Sequence, residues 1–69
     1  MRTEQLTAIA LEKVNYDKYL LANGVGKRAE KIANGAEVLL DFDTTGMKYT
    51  DIALQEIAEG KIILSLEEG

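Results

Sequence analysis

The stretch Tyr49-Thr50-Asp51-Ile52-Ala53-Leu54-Gln55-Glu56-Ile57-Ala58-Glu59-Gly60-Lys61-Ile62 opens and closes one short helix, and the fold turns on how it is read. Thr50 suits an N-cap, because its hydroxyl can accept from an orphan N–H of the first turn, and Asp51 then lies where the helix dipole favours negative charge. Tyr49 and Leu54 have the spacing of a hydrophobic staple. Gly60 stands where a left-handed residue ends a helix cheaply, and the positive charge of Lys61 follows it. On a wheel of about 100° per residue, Ala53, Leu54, Ile57 and Ala58 share one face, while Ile52 falls among Glu56 and Glu59 on the other. The wheel therefore predicts an outward Ile52 in search of a partner, on a solvated acidic face.

Two further helices precede this one. Thr3 can cap a first helix over about residues 4–14, whose Leu6, Thr7, Ile9, Ala10, Leu11, Lys13 and Val14 spread over an arc of about 200°, wider than one core contact needs. Asn15 or Asp17 caps a second helix that runs to about Ala33 and is ended by Asn34-Gly35. Its inner arc holds Leu21, Ala22, Val25, Gly26, Ala29, Ile32 and Ala33, which places Gly26 inward and Gly24 outward beside Leu20 and Arg28. Residues 36–48 lose the helical period. Val38, Leu40 and Phe42 are expected to hold down an extended linker there, before the turn Thr44-Thr45-Gly46. The tail Lys61-Ile62-Ile63-Leu64-Ser65-Leu66 is apolar enough to need cover, and Glu67-Glu68-Gly69 is solvent-friendly. The expected fold is a single small all-α domain over residues 1–69: three helices, an extended linker before the third, and an apolar C-terminal tail.

Composition narrows the function. A domain of 69 residues hides only about 60% of the surface its unfolded chain exposes. Its core then supplies roughly 3–5 kcal/mol without a staple. Cysteine and histidine are both absent, so no disulfide or ordinary zinc site is available. The remaining route to stability is oligomerisation or docking on a larger partner. A net charge of −4 opposes a general phosphate-binding surface, so direct nucleic-acid contact is not expected. There is no membrane-length apolar run and no signal-like N-terminus, which points to the cytoplasm.

No motif carries catalysis, a cofactor or a metal. Gly24-Val25-Gly26-Lys27 lacks the strand and glycine turn of a nucleotide loop and reads as helix packing. Asp41, Asp43, Thr45 and Gly46 partly match a calcium loop, but Ile52 stands where the bidentate glutamate belongs, so a solvated turn is expected. Glu56 and Glu59 have no polar pocket around them to make an acid–base pair. Lys27, Arg28 and Lys31 form a basic edge that either pairs with Glu30 and its neighbours or presents Arg28 to a partner carboxylate.

The Thr50 to Ile62 run resembles the signature of the omega subunit of bacterial RNA polymerase, whose members carry an Ile-Ala-Leu-x-Glu-Ile-x-x-Gly-x-Ile pattern. Glu12-Lys13-Val14, Lys18-Tyr19-Leu20-Leu21 and Lys27-Arg28-Ala29 are similar to further elements of that family, in the same order. The resemblance implies an accessory subunit without catalytic residues that clasps the largest (beta-prime) subunit and promotes its folding and core-enzyme assembly. The residues expected to bind that partner are Tyr19, Leu20, Gly24, Lys27, Arg28 and Ile52. Some family members bind guanosine tetraphosphate through an N-terminal arginine. Here Glu4 falls in its register, which argues against alarmone binding, with Arg2 as the nearby substitute. No role of a long C-terminal extension is carried over. The rival reading is a small acidic regulator, such as an antitoxin or inhibitor, that masks a basic protein.

Overall fold

The computed structural model describes residues 3–64, with three helices: α1 (Thr3–Lys13), α2 (Lys18–Ala33) and α3 (Tyr49–Ala58). Met1, Arg2, the side chain of Thr3 and residues 65–69 lie outside the described residues. So do the expected Thr3 cap, the alarmone role of Arg2 and the outer half of the tail.

Local chemistry sets the helix ends. The Asp17 carboxylate accepts from Leu20 N–H at 2.9 Å and starts α2. Between α1 and α2 the backbone passes through two left-handed residues, Asn15 (φ 58°) and Tyr16 (φ 63°). The turn is closed by Tyr16 N–H on Leu11 C=O at 2.7 Å. At the end of α3, Gly60 has φ 74°. Lys61 N–H donates to Glu56 C=O and Gly60 N–H to Ile57 C=O, which together form a Schellman motif. Asn34, Gly35 and Ala36 repeat that motif after α2.

The start of α3 differs from the expectation. Lys48, not Thr50, occupies the N-cap and makes no side-chain cap bond, while Thr50 lies within the first turn. This shifts the staple as well. The positions before the cap and four into the helix are Met47 and Ile52, and both belong to one apolar cluster.

Helix α3 packs against both other helices, whereas α1 and α2 touch each other little. One cluster joins Leu6, Ala10 and Val14 of α1, Leu21 of α2, and Ile57 and Ala58 of α3. The second joins Ala29 and Ile32 to Ile52 and Ala53, with Val38, Leu40 and Met47 packed against it. The backbone extends only 16 Å along its short axis, room for two layers of helices packed about 8–10 Å apart and no third. Three helices in so thin a layer cannot enclose α3. The linker and tail complete its cover.

Three expectations are corrected by that cover. Ile52 is 3% exposed rather than outward, because the wheel treats any side not facing a helix as solvent and residues 36–48 lie there instead. Gly24 is buried and Gly26 exposed, the reverse of the expectation. A Cβ at Gly24 would overlap the side chain of Leu64, while one at Gly26 would meet nothing. Phe42 is exposed, and Met47 takes the anchoring place expected of it.

Two substitutions test this arrangement. Gly26→Ala removes a helix-interior glycine with free space around it, and should raise unfolding free energy by about 0.5–1 kcal/mol in a urea titration. Ile52→Asp puts a carboxylate among apolar side chains and should abolish cooperative unfolding, seen as loss of the thermal transition by circular dichroism.

Candidate functional site

The polar centre of the molecule lies where α2, α3 and the linker meet. Glu56 projects from α3 and is 0% exposed. Its partner Arg28, on α2, donates from Nε to Oε1 at 2.7 Å and from Nη2 to Oε2 at 3.2 Å. This is the two-pronged geometry that favours guanidinium over ammonium. The linker closes the set: Leu39 N–H donates to Glu56 Oε2 at 2.7 Å, and Arg28 Nη2 reaches Glu37 C=O at 2.6 Å. Among the described residues, no buried side-chain nitrogen or oxygen lacks a partner.

The environment fixes the charge state. Burial pushes the Glu56 carboxyl up, but the Arg28 hydrogen bonds, the Leu39 N–H and the guanidinium charge together outweigh it and hold the group below its ordinary range. Arg28 is raised in turn, chiefly by its hydrogen bond to Glu56, against a smaller opposing push from burial. A carboxylate so enclosed and held ionised is a structural anion. The expectation of an exposed Glu56 face is thus overturned, and within the chain Arg28 pairs with Glu56 rather than with Glu30. Glu59 alone keeps the solvent-facing role, in a hydrogen bond from Gln55 Nε2 at 2.6 Å.

The other sequence candidates divide between surface and interior. Tyr19 is 81% exposed, Lys27 is exposed and Leu20 is half-buried against the first cluster. Gly24, Lys27 and Arg28 converge with Lys31 on one cleft of about 460 Å³, whose other wall is Ile62, Ile63 and Leu64. Ile52 lies apart, inside the second cluster. A second, mainly apolar groove of about 540 Å³ runs between the helices over Leu11, Leu21, Ala22, Val25, Gly26 and Leu54. In the acidic turn, Asp43 Oδ1 accepts from Thr45 N–H at 2.9 Å and from Thr45 Oγ1 at 2.6 Å, so that carboxylate serves its own loop. Among the described residues, no helix is long and apolar enough to cross a membrane.

The geometry defines a small helical domain in which the one buried ionic group among the described residues locks the architecture and the open features are surface grooves. Comparison with known proteins narrows this class. Residues 10–63 match the family described as RNA polymerase Rpb6. Relatives named DNA-directed RNA polymerase subunit omega include one from Sulfurovum sp. (strain NBC37-1), 87% identical over 97% of this chain and 98% of that protein. Another, from Campylobacter curvus (strain 525.92), is 58% identical over 90% of this chain and 87% of its own length. A third, from a Nitratiruptor species, is 52% identical over 99% of this chain and 97% of its own. No solved structure matches. The chain belongs to the RNA polymerase omega-subunit family.

The ion pair yields a double prediction. Arg28→Met should destabilise the domain by about 3 kcal/mol, because it strands the buried Glu56 carboxylate. Glu56→Gln should cost less, because Arg28 is only part-buried, and the double variant should cost clearly less than their sum in a urea double-mutant cycle. The folded-state carboxyl of Glu56 is lowered, so the unfolded chain takes up the proton first. Its stabilising share is complete above about pH 4.5, the ordinary value, and is lost as pH falls through the lower folded-state value. Asp43 is lowered too, by the Thr45 hydroxyl and N–H. Glu56→Gln should therefore flatten, not abolish, the acid limb of a stability–pH curve.

Proposed function

We propose that this chain is an accessory subunit of RNA polymerase, acting in the cytoplasm, that docks on the largest (beta-prime) subunit and supports its folding and assembly into the core enzyme without catalysing a reaction of its own. The observation carrying this reading is the 87% identity, over 97% of the chain, to a protein named as the omega subunit. The enclosure of Glu56 supports the non-catalytic part, since the only buried carboxylate among the described residues is bonded to Arg28 and Leu39 and meets no open pocket. The rival regulator reading gains no support, because the relatives carry the polymerase name.

The mechanism is restraint by a preformed platform. A flexible segment of the large subunit loses backbone freedom at about 1–2 kcal/mol per residue on docking. Apolar burial and polar contacts must exceed that loss, and a host surface that is already rigid adds little to it. The Arg28–Glu56 lock supplies that rigidity, and the exposed side chains of α2, Tyr19 and Lys27, together with half-buried Leu20, are the contact surface. Gly24 and Ile52 take part from inside, by shaping the platform rather than touching the partner. Alarmone binding is outside this reading, since Glu4, in the register of the family arginine, is exposed and acidic.

A tagged chain should co-purify with the large polymerase subunits in fixed proportion from native lysate, and recovery of a small basic protein instead would sink the proposal. Tyr19→Ala, at a position 81% exposed, should leave stability within about 0.5 kcal/mol of the parent. It should nonetheless lower the recovered polymerase severalfold.

A further inference from the structure

We propose that Asn34 is a site of spontaneous covalent modification, where the side-chain amide condenses with the backbone nitrogen of Gly35 and the isoaspartate that results unseats the linker from the Arg28–Glu56 pair. The fold directs this chemistry to Asn34 and spares Asn23, which has the same immediate neighbours.

The chain carries one run twice, Ala22-Asn23-Gly24 and Ala33-Asn34-Gly35. Asparagine before glycine is the pair in which ring closure is easiest, because glycine has no side chain to shield its nitrogen and turns freely about its backbone bonds. The reaction needs only water. Gly35 N gives its proton to hydroxide and attacks Asn34 Cγ. The new N–Cγ bond closes a five-membered succinimide, the Cγ–Nδ2 bond breaks, and Nδ2 leaves as ammonia with a proton from water. Water then opens the ring at either carbonyl. Cleavage of the new N–Cγ bond gives aspartate. Cleavage of the original backbone C–N bond gives isoaspartate, whose main chain runs through Cβ and Cγ and is longer by one methylene.

Shared neighbours give the two asparagines the same intrinsic chemistry, so the structure decides between them. Both are exposed. Asn23 lies inside α2, between buried Leu21 and buried Gly24, and Leu64 occupies the space a side chain on Gly24 would need. The helical ladder holds Gly24 N–H there, and freeing it means lifting α2 off the core. Asn34 is instead the C-cap of α2, with φ −94° and ψ 13°. At that ψ, Gly35 N eclipses Asn34's own backbone nitrogen and lies well off Cβ, so the closed cap keeps the reacting atoms apart. Gly35 N–H is also donated to Ile32 C=O at 3.0 Å. This guard is local: a Cβ added at Gly35 would meet nothing within 4 Å, so no tertiary packing reinforces it. Helix ends of this kind fray readily, whereas the middle of a packed helix opens only with the core.

The product strikes the lock. Ala36 N–H returns to Lys31 C=O at 2.9 Å, and close behind it Glu37 C=O accepts from Arg28 and Leu39 N–H donates to Glu56. An extra methylene before Gly35 puts the return bond and the two lock bonds out of register.

The test ages the full-length chain at mildly alkaline pH and maps it by mass spectrometry after trypsin, since cleavage at Lys18, Lys27, Lys31 and Lys48 puts the two asparagines on separate peptides. In native buffer Asn34 should convert at least about tenfold faster than Asn23, and in urea the two rates should agree within about twofold. Equal native rates or faster conversion at Asn23 would overturn the proposal. So would a difference that persists in urea, because its cause would then lie in the sequence and not in the fold. The isoaspartyl form, separated from an aged and isotope-labelled sample, should show a displaced Leu39 amide signal. Asn34→Asp, which carries the same charge without the added methylene, should keep that signal in place. A parental Leu39 signal in the isoaspartyl form, or equal displacement in Asn34→Asp, would overturn the link to the lock.

Discussion

A single enclosed ion pair ties together the three parts of the molecule that have least reason to stay together. Arg28 stands on α2, Glu56 on α3, and the linker supplies a C=O from Glu37 and an N–H from Leu39. Taking either charge out of water alone would cost several kcal/mol, roughly, which so small a domain cannot spare. The cost is offset because both carboxylate oxygens and three N–H groups find partners at once. The pair thereby selects one arrangement. An alternative register of the linker would leave a buried carboxylate short of a donor, a heavier penalty than losing an apolar contact.

That lock explains how a thin molecule keeps a central helix dry. Helix α3 has α1 and α2 as its helical neighbours, and irregular chain covers what they leave open. Val38, Leu40 and Met47 cover Ile52 and Ala53, while Ile62 and Leu64 pack over the end shared with Leu20 and Leu21. Gly24 belongs to the same solution, since only a residue without a side chain leaves room for Leu64. Part of the surplus apolar surface implied by the sequence is thus covered by the chain itself, and what stays open includes Tyr16, Tyr19, Phe42, Tyr49, Ile63 and the helical groove.

The helices were legible because their end signals are local. Asp17, Asn34-Gly35 and Gly60 act through hydrogen bonds and backbone angles within a few residues, and each falls where its chemistry predicts. The site was less legible, because its members are 28 residues apart along the chain, and a helical wheel carries no information about what an irregular segment will cover. A signal was nevertheless present. Ile52 and Glu56 share a helix face, so whatever hides the isoleucine must hide the carboxylate as well. A buried carboxylate then requires an arginine, and Arg28 fits. The exchange of Gly24 and Gly26 has the same origin: the face turned away from the other helices is the one the tail occupies.

The central place of α3 also sets the order of events during synthesis. Helices α1 and α2 share little contact, and the residues that bridge them, Ile57 and Ala58 among them, are made late. A nascent chain halted before Tyr49 owns two short helices with almost nothing to hold them to each other, and helices of that length are marginal alone in water. Productive collapse therefore waits for the third helix to leave the ribosome.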